Sequence, residues 1–240
     1  MKVEVYKNYE EVMARAAEIV GAQVKEKPDC VLGLPTGSTP IGLYENLAKK
    51  CDAGELDFSH VSTFNLDEYY PINPEHDQSY RYFMNDHLFH HINIKMENTH
   101  VPLGNSKDPD ATCRAYEDEI RAFGGVDLQV LGIGRNGHIG FNEPGCDLQG
   151  PTHLTDLTED TLDANSRFFD SVKDVPTNAL TMGIGTIMRA KKILILITGE
   201  NKRNALKELL SGKVSNQCPA SALQNHKDVI VLCDEAANAQ

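Results

Sequence analysis

The stretch Val126-Asp-Leu-Gln-Val-Leu131, followed by Gly132-Ile-Gly-Arg-Asn-Gly-His-Ile-Gly-Phe-Asn-Glu-Pro-Gly145, decides the fold class. Its first part is a short, mostly apolar run, typical of a strand that is buried on both faces of a parallel sheet. Its second part is predicted to be a long polar loop, because Gly140, Pro144 and Gly145 prevent a helix from running through it. Strand and helix patterns alternate on both sides of this stretch, without repeats or low-complexity segments.

The order of these patterns predicts the architecture. Asn8 and Glu11 have the spacing of a capping box at the start of a first helix that carries Val12 to Val20. The predicted strands cover residues 3–5, 30–34, 61–66, 126–131, 193–197 and 229–232, and the later helices cover 41–50, 79–91, 109–123, 184–189 and 201–210. Alternation of this kind implies right-handed crossovers. We therefore expect a single α/β domain over residues 1–240, with a doubly wound, mostly parallel sheet and helices on both faces.

The charge balance excludes two classes of partner. Asp and Glu number 35 against 23 Lys and Arg, which gives a formal net charge of -12 at pH 7. Such a chain offers no basic surface for nucleic acid or for an acidic membrane. An anionic ligand must instead be held by a few local cations and backbone amides.

Cysteine usage and apolar runs favour a cytoplasmic protein without a metal site. The six cysteines are scattered, with no C-x-x-C pair and no His at zinc-site spacing, so we expect free thiols in a reducing compartment. The longest apolar runs, 193–197 and 229–233, are too short to span a bilayer. The first residues mix charged and apolar side chains and do not resemble a signal peptide.

Doubly wound sheets bind ligands outside the carboxyl ends of their strands, so the loops at that edge are the candidates for a site. After the second predicted strand, Thr36, Gly37, Ser38 and Thr39 lie at a strand-to-helix turn that could cradle an anion on free helix amides. The lysine of a nucleotide triphosphate loop is missing. The alternative is an ordinary capped turn, with Ser38 or Thr39 as N-cap and Pro40 at the first helical position.

Two adjacent carboxylates, Asp67 and Glu68, follow the third predicted strand. Leu66, Tyr69 and Tyr70 surround them and could partly exclude water. One of the two could then serve as a general base with a raised pKa. The alternative is an Asp in a solvated loop.

The glycines of the 132–145 loop match the pattern G-x-G-x-x-G after a strand. A dinucleotide fingerprint requires a helix that begins within these glycines, and the loop cannot form one. We therefore reject dinucleotide binding.

The same loop carries Asn136, His138 and Glu143, three polar groups that can act together. His138 can move a proton near neutral pH, and Glu143 can orient the imidazole and stabilise its charged form. The alternative is a structural histidine with satisfied hydrogen bonds.

Three other histidines and two cations are further candidates for binding roles. His87, His90 and His91 fall in one predicted helix, but no carboxylate accompanies them at metal-site spacing, so a solvated or packing role is expected. Arg167 and Lys202 are candidate phosphate partners, and Lys202 lies where a strand ends and a helix begins. A plain surface charge is the alternative for each.

Five stretches of the chain resemble, in order, the motifs of glucosamine-6-phosphate deaminases. They are Gly33-Leu-Pro-Thr-Gly-Ser-Thr-Pro40, Phe64-Asn-Leu-Asp-Glu-Tyr69, Gly132-Ile-Gly-Arg-Asn-Gly-His-Ile-Gly-Phe-Asn-Glu-Pro144, Ala164-Asn-Ser-Arg-Phe-Phe169 and Ile197-Thr-Gly-Glu-Asn-Lys202. The resemblance implies a modified Rossmann-like fold shared with sugar-phosphate isomerases and lactonases. It also implies conversion of glucosamine 6-phosphate and water to fructose 6-phosphate and ammonia, in amino-sugar catabolism, with no metal or organic cofactor.

The resemblance implies roles for individual residues as well. His138, held by Glu143 and Asn136, would open the sugar ring, and Asp67 would carry a proton from carbon 2 to carbon 1. A lid is implied over about 151–180. The residues implied to hold the substrate phosphate are Thr36, Gly37, Ser38, Thr39, Arg167 and Lys202.

The chain departs from the family pattern at two places. Many members have Asp where this chain has Asn136, so weaker activation of His138 is expected unless Glu143 compensates. The longer hexameric members are activated by N-acetylglucosamine 6-phosphate through Ser, Arg and Lys residues just after Asn-Glu-Pro, but residues 145–155 here include neither Arg nor Lys. We therefore expect no allosteric site, and a monomer or small homo-oligomer.

Two other functions compete with this one. The 6-phosphogluconolactonases share the fold and a related Gly-His loop, but Arg typically follows their Asp-Glu, whereas Tyr69 and Tyr70 follow it here. A sugar-phosphate-sensing domain of a bacterial repressor would carry a helix-turn-helix segment. The expected α/β core uses all 240 residues, which disfavours that function.

Overall fold

Short apolar strands form the centre of the protein, whose computed structural model describes residues 1–166 and 169–239. Within these residues the strands are β1 (Lys2–Tyr6), β2 (Val31–Leu34), β3 (Ser62–Asn65), β4 (Asp67–Tyr70), β5 (Thr99–His100), β6 (Leu128–Leu131), β7 (His153–Asp156), β8 (Asn178–Thr181), β9 (Lys192–Ile197) and β10 (Val229–Asp234). The α-helices are α1 (Tyr9–Glu26), α2 (Ile41–Asp52), α3 (Tyr80–His87), α4 (Pro109–Ala122), α5 (Glu159–Ser166), α6 (Ile184–Ile187), α7 (Arg203–Leu209) and α8 (Glu235–Asn238).

The main sheet has seven strands in the order β1-β10-β9-β6-β2-β3-β5. All six pairings in it are parallel. The expected doubly wound, mostly parallel sheet is therefore confirmed. Successive strands leave β2 in opposite directions, with β3 on one side and β6 on the other, and such a reversal opens a crevice at the carboxyl ends of the strands.

Helices cover both faces of this sheet because its strands are apolar on both sides. Along β9, Ile193, Ile195 and Ile197 pack with α4, α6 and α7, whereas Leu194 and Leu196 pack with α1 and α2. Full burial of one such side chain contributes about 1.5–3 kcal/mol. The two resulting cores hold the strand ends, and therefore the loops that follow them, in fixed positions.

A second sheet, which the sequence did not predict, has the order β4-β8-β7 and is antiparallel. We expected a loop after Leu66 and assigned no strand to 151–180. Leu66 links the two sheets, since its N–H donates to Leu34 O (3.1 Å) and its carbonyl accepts from Met182 N (2.7 Å). The strands of this sheet have four residues each, and β7 is at least partly exposed along its whole length, so its sequence carries little hydrophobic signal.

Two helices differ from their predicted bounds. The segment predicted as a helix over 79–91 contains α3, which ends at His87, and a separate 3-10 turn at Phe89–His91. Residue Leu88 between them has φ -138°, which is not helical. The helix predicted from residue 201 begins at Arg203, after a 3-10 turn at Glu200–Lys202.

Membrane-spanning helices, cysteines, metal-binding clusters and histidines were the subject of further expectations from the sequence. In this part of the chain, no helix is long and apolar enough to cross a membrane. All six cysteines are free thiols, and four of them are buried. No three or more His, Cys, Asp or Glu side chains among the described residues are grouped so as to hold a metal. His87 packs on Phe83 (4.3 Å between ring centroids), and His91 Nε2 lies 2.7 Å from Asp86 O.

Candidate active site

A cavity of ≈ 640 Å³ opens at the carboxyl ends of β2, β3, β6 and β9. Loops after these strands form most of its wall, and α5 contributes to the opposite side. Arg167 lies outside the described residues, so its predicted position is not tested. The other predicted site residues line this one cavity: Thr36, Gly37, Ser38, Thr39, Asp67, Asn136, His138, Glu143 and Lys202.

Asp67 is the first residue of β4 and is only 6% exposed. None of the described residues donates a hydrogen bond to its carboxyl group. Burial raises the pKa of Asp67 to about 8, and the neighbouring charge of Glu68 adds to this effect. Gly140 lies against it, since a Cβ at this glycine would be 3.3 Å from Asp67 Oδ2. Asp67 is therefore a desolvated carboxyl with open access to the cavity, not an Asp in a solvated loop.

Glu68 has a different environment. Its side chain accepts hydrogen bonds from the backbone N–H groups of Tyr69 (2.9 Å), Tyr80 (2.8 Å) and Arg81 (2.9 Å). It does not line the cavity. Of the two carboxylates that the sequence left open as a base, Asp67 is the one that can meet a ligand.

His138, Asn136 and Glu143 form a closed hydrogen-bonded group. His138 Nδ1 lies 2.8 Å from Asn136 Oδ1 and 3.3 Å from Glu143 Oε1, and Asn136 Nδ2 donates to Glu143 Oε2 at 2.7 Å. Both partners of Nδ1 are acceptors, so we assign the proton to Nδ1, which leaves Nε2 as an acceptor. The hydrogen bond from His138 lowers the pKa of Glu143 and keeps it charged, and the bond from Asn136 adds to this effect.

Gly134 allows the imidazole to take this position. A Cβ at Gly134 would lie 2.2 Å from both Cε1 and Nδ1 of His138, so any larger residue would displace the ring. The loop is further held by hydrogen bonds from Gly134 N to His138 O (2.9 Å) and from Gly137 N to Gly134 O (3.0 Å). These glycines therefore serve a close ring contact and a tight turn, and no helix begins among them.

The turn after β2 is not an ordinary capped turn. Pro40, and neither Ser38 nor Thr39, is the N-cap of α2, and the hydroxyl of Tyr9 accepts a hydrogen bond from the helix N–H of Gly42 at 2.9 Å. Two tyrosines hold the turn from behind, because the hydroxyl of Tyr9 donates to Thr39 O (2.9 Å) and that of Tyr44 donates to Pro35 O. Residues 35–39 of this turn line the cavity, so the backbone and hydroxyl groups of Thr36 to Thr39 are the donors that an anion would meet there.

Lys202 supplies a cation on the opposite side of the cradle. Its Nζ donates to Ile133 O at 2.6 Å, which fixes the side chain against the loop after β6. Burial lowers the pKa of Lys202, and the nearby charge of Arg135 contributes. Arg135 also lines the cavity and was missed by sequence reasoning, although its place between two loop glycines was visible.

Further lining residues outside the predicted set include four with aromatic or hydroxyl side chains: Tyr80, Phe141, Thr158 and Thr161. The rings of Tyr80 and Phe141 are stacked with centroids 6.2 Å apart. Thr158 and Thr161 join their hydroxyls at 3.0 Å at the start of α5. The local sequence did not place α3 at this cavity, because that approach is set by tertiary packing, whereas α5 lies in the segment that the family resemblance implies as a lid.

Known proteins resemble this chain in sequence over nearly its whole length. A family model described as glucosamine-6-phosphate isomerases/6-phosphogluconolactonase matches residues 6–232. The chain is 54% identical over 237 residues to a glucosamine-6-phosphate deaminase of Thermoanaerobacter sp. (strain X514), covering 99% of this chain and 94% of that protein. A deaminase of Clostridium perfringens (strain 13) is 53% identical, with coverage of 99% and 98%.

Solved structures give the same result. A monomeric glucosamine-6-phosphate deaminase superposes with a TM-score of 0.95 and 47% identity, covering 100% of this chain and 99% of that one. The 6-phosphogluconolactonase of Thermotoga maritima has a TM-score of 0.77 at 23% identity, with coverage of 97% and 98%, and supports the fold alone. The chain therefore belongs to the glucosamine-6-phosphate isomerase/6-phosphogluconolactonase family. Its relatives at 47–54% identity bear the deaminase name.

Proposed function

We propose that this chain converts glucosamine 6-phosphate and water to fructose 6-phosphate and ammonia, by aldose-ketose isomerisation coupled to deamination. One observation carries the proposal: Asp67, a buried carboxyl that accepts no hydrogen bond from the described residues, shares a cavity with the His138–Glu143 pair and an anion cradle. The first group suits proton transfer at carbon, and the second suits proton transfer at oxygen. The deaminase name of the relatives supports the same assignment.

The phosphate group anchors the substrate. The backbone and hydroxyl groups of Thr36 to Thr39 offer donors, and Lys202 offers a positive charge. Arg167 is proposed as a further phosphate partner from the sequence alone. Anchoring one end of a flexible sugar holds its reacting carbons near the catalytic groups.

Ring opening is assigned to His138. Its free Nε2 takes the proton of the anomeric hydroxyl, and the imidazolium then returns a proton to the ring oxygen as the C–O bond breaks. Glu143 is held charged and 3.3 Å from Nδ1, so it stabilises the imidazolium. Asn136 orients both groups through its amide.

Isomerisation is assigned to Asp67. Its carboxylate removes the proton from carbon 2 of the open aldehyde, which gives an enolamine, and returns a proton to carbon 1. The product of that step is a ketimine at carbon 2. Water adds to this carbon, and the C–N bond breaks to release ammonia and the ketose phosphate.

Assembly, lid and location belong to the same proposal. We propose a monomer, because the 47% identical relative is described as monomeric. The net charge of -12 and the free thiols support a cytoplasmic location without nucleic-acid or membrane partners. The segment 151–180 is proposed as a lid, since Thr158 and Thr161 line the cavity from it. Size-exclusion chromatography with light scattering tests the first point. A large drop in KM on adding N-acetylglucosamine 6-phosphate would contradict the absence of an allosteric site.

The activity is tested by incubating the protein with glucosamine 6-phosphate and following ammonia and fructose 6-phosphate. We expect both products in equal amounts, and no acceleration of 6-phosphogluconolactone hydrolysis in a parallel reaction. The variant Asp67→Asn should abolish exchange of the carbon 2 proton with solvent deuterium. Absence of ammonia from the wild type would reject the function, and persistent exchange in the variant would remove Asp67 as the base.

A further inference from the structure

Glu68 is a buried carboxylate that the proposed reaction does not use. It is 1% exposed, and it accepts three backbone N–H groups at 2.8–2.9 Å. Two of these donors, Tyr80 and Arg81, are the first residues of α3. The carboxylate therefore joins β4 to the N-terminus of α3, where the helix dipole favours a negative charge.

This junction places an aromatic wall beside Asp67. The backbone N–H of Tyr80 donates to Glu68. The centroid of the Tyr80 ring lies 4.7 Å from that of Tyr69 and 6.2 Å from that of Phe141. Tyr80 and Phe141 line the same cavity as Asp67. Because burial is the main cause of the raised pKa of Asp67, the position of this wall controls that property.

Burial raises the pKa of Glu68 to about 7, below that of Asp67, so Glu68 loses its proton first and then places a negative charge next to Asp67. The guanidinium of Arg81, which faces the pair, is committed to Thr99 through Oγ1 (2.8 Å) and the carbonyl (2.9 Å). Burial raises the pKa of Tyr44, Tyr80 and Tyr116 far above its usual value, so these three phenols are neutral. Among the described residues, the titratable groups facing the pair from other elements include Tyr44, Tyr80, Arg81 and Tyr116, and across the cavity Arg135, His138, Glu143 and Lys202.

We propose that Glu68 is a positioning residue for the base: its carboxylate clamps the N-terminus of α3 so that Tyr80 shields Asp67, and its charge opposes ionisation of Asp67. This inference rests on the proposed function of Asp67. A carboxylate that binds its proton more tightly is a stronger base toward a carbon acid. Glu68 thus strengthens the base without touching the substrate.

The variant Glu68→Gln removes the charge and keeps the length of the side chain. Its Oε1 can still accept from Tyr69 and Tyr80, but its NH2 group faces the N–H of Arg81, so one of the three hydrogen bonds is lost. The acid limb of kcat/KM for carbon 2 proton exchange should move to lower pH by about one unit, while KM changes by less than about threefold. Glu68→Asp retains the charge but is one methylene shorter and cannot keep all three hydrogen bonds, so its acid limb should lie closer to that of the wild type than the limb of Glu68→Gln does. An unmoved limb in folded Glu68→Gln overturns the proposal.

A second measurement does not depend on activity. Infrared difference spectroscopy follows protonation of buried carboxyl groups in the substrate-free protein, where an interacting pair titrates in two steps. Because the pKa values of Glu68 and Asp67 are raised to about 7 and about 8, the second step of the wild type belongs mainly to Asp67. In Glu68→Gln, or in Glu68→Ala if Gln does not fold, the remaining Asp67 should titrate at lower pH than this second step, because the charge that opposes it is gone. Titration of Asp67 at the pH of the wild-type second step overturns the charge effect. A wild type that releases no ammonia rejects the proposed function but leaves this result standing.

Glu117 offers a matched control. It is also a buried carboxylate, it accepts from Thr152 N (2.9 Å) and Thr152 Oγ1 (2.7 Å), and it pairs with Arg189 outside the cavity. Glu117→Gln should lower the Tm without moving the acid limb of the exchange profile. An equal shift in this control would overturn the proposal, since general loosening would then account for both shifts.

Discussion

At the scale of single residues, Asp67 shows how environment alone can make a base from a carboxyl group. Its pKa is raised to about 8 by burial, and no donor among the described residues stabilises the charged form. A general base acts only when deprotonated, so kcat/KM should rise with pH through about 8, as the free enzyme loses this proton. Initial rates across neutral and alkaline pH test this. A profile that is already flat from about pH 6 upward would assign the acid limb to another group.

Beside His138, Glu143 carries a negative charge and Asn136 is a neutral hydrogen-bond donor to it. In Asn136→Asp, the 2.7 Å contact with Glu143 Oε2 would join two oxygens without a donor, so the pair must hold an extra proton or separate. We expect kcat to fall by about tenfold or more. The double variant Asn136→Asp with Glu143→Gln restores one amide and one carboxylate in exchanged places.

The double variant should recover most of the activity lost by Asn136→Asp alone, which steady-state kinetics of the four proteins of the cycle would show. Recovery means that the pair needs one charge and one donor, in either order. If instead the two losses simply add, the carboxylate must be at position 143, and the family members with Asp at position 136 must arrange their histidine differently.

At the scale of elements, the loop after β6 carries a prediction about glycine. Gly134→Ala would place a methyl group 2.2 Å from the His138 ring, so the ring must leave its contact with Asn136. We expect kcat to fall by about 10²-fold, with a small change in Tm, because a 1 Å displacement of a catalytic group has an effect of this size. Gly150→Ala is the control, since its methyl group would meet the Asp147 side chain at an ordinary 3.4 Å. Similar losses in both variants would contradict a specific ring contact.

The success of sequence reasoning also differed between elements. The buried strands β2, β6 and β9 were predictable because a short apolar run between turn signals fits few structures besides a buried strand. The polar residues that follow them were found for the same reason, as each stands at a predicted strand end. By contrast, β7 is polar and paired only with β8, so its local sequence does not distinguish a strand from a loop.

Residues brought to the cavity by packing were the ones missed. Tyr80 begins α3, and its place in the wall depends on a hydrogen bond to Glu68, twelve residues away in sequence. Glu68 itself was recognised only as one of two equivalent acids. The difference between them depends on which face of β4 meets the cavity and which meets α3, and this is decided by the pairing of β4 with β8.

At the scale of the whole molecule, a negative net charge contrasts with two cations on the cavity wall, which stand beside the carboxyl groups of Asp67 and Glu143. The chain carries -12 overall, yet Lys202 and Arg135 place two cations on the cavity wall. A phosphorylated sugar therefore approaches a negative molecule and binds through short-range contacts, since screening at physiological salt removes charge effects beyond about 8 Å. The fold makes this possible by directing the ends of four parallel strands to one edge.

The burial that raises the pKa of Asp67 also lowers the free energy of unfolding of the protein, by an amount that depends on pH. A folded-state pKa near 8, against about 3.9 for an ordinary Asp, means that the folded protein keeps a proton which the unfolded chain releases. The free energy of unfolding therefore falls as pH rises from about 4 to about 8. Asp67→Asn has no such proton, so it should be more stable than the wild type at about pH 8.5, by about 1–3 kcal/mol.

Thermal unfolding at about pH 5 and about pH 8.5 checks this, with a gain in Tm of about 4 °C or more expected only at the higher pH. Groups whose pKa is lowered in the fold, such as Glu143 and Asp127, lose their contribution at acid pH in both proteins, so the comparison cancels them. An equal change in Tm at both values would mean that Asn only alters packing. A gain in Tm confined to alkaline pH would mean that the buried, ionised Asp67 destabilises the folded protein.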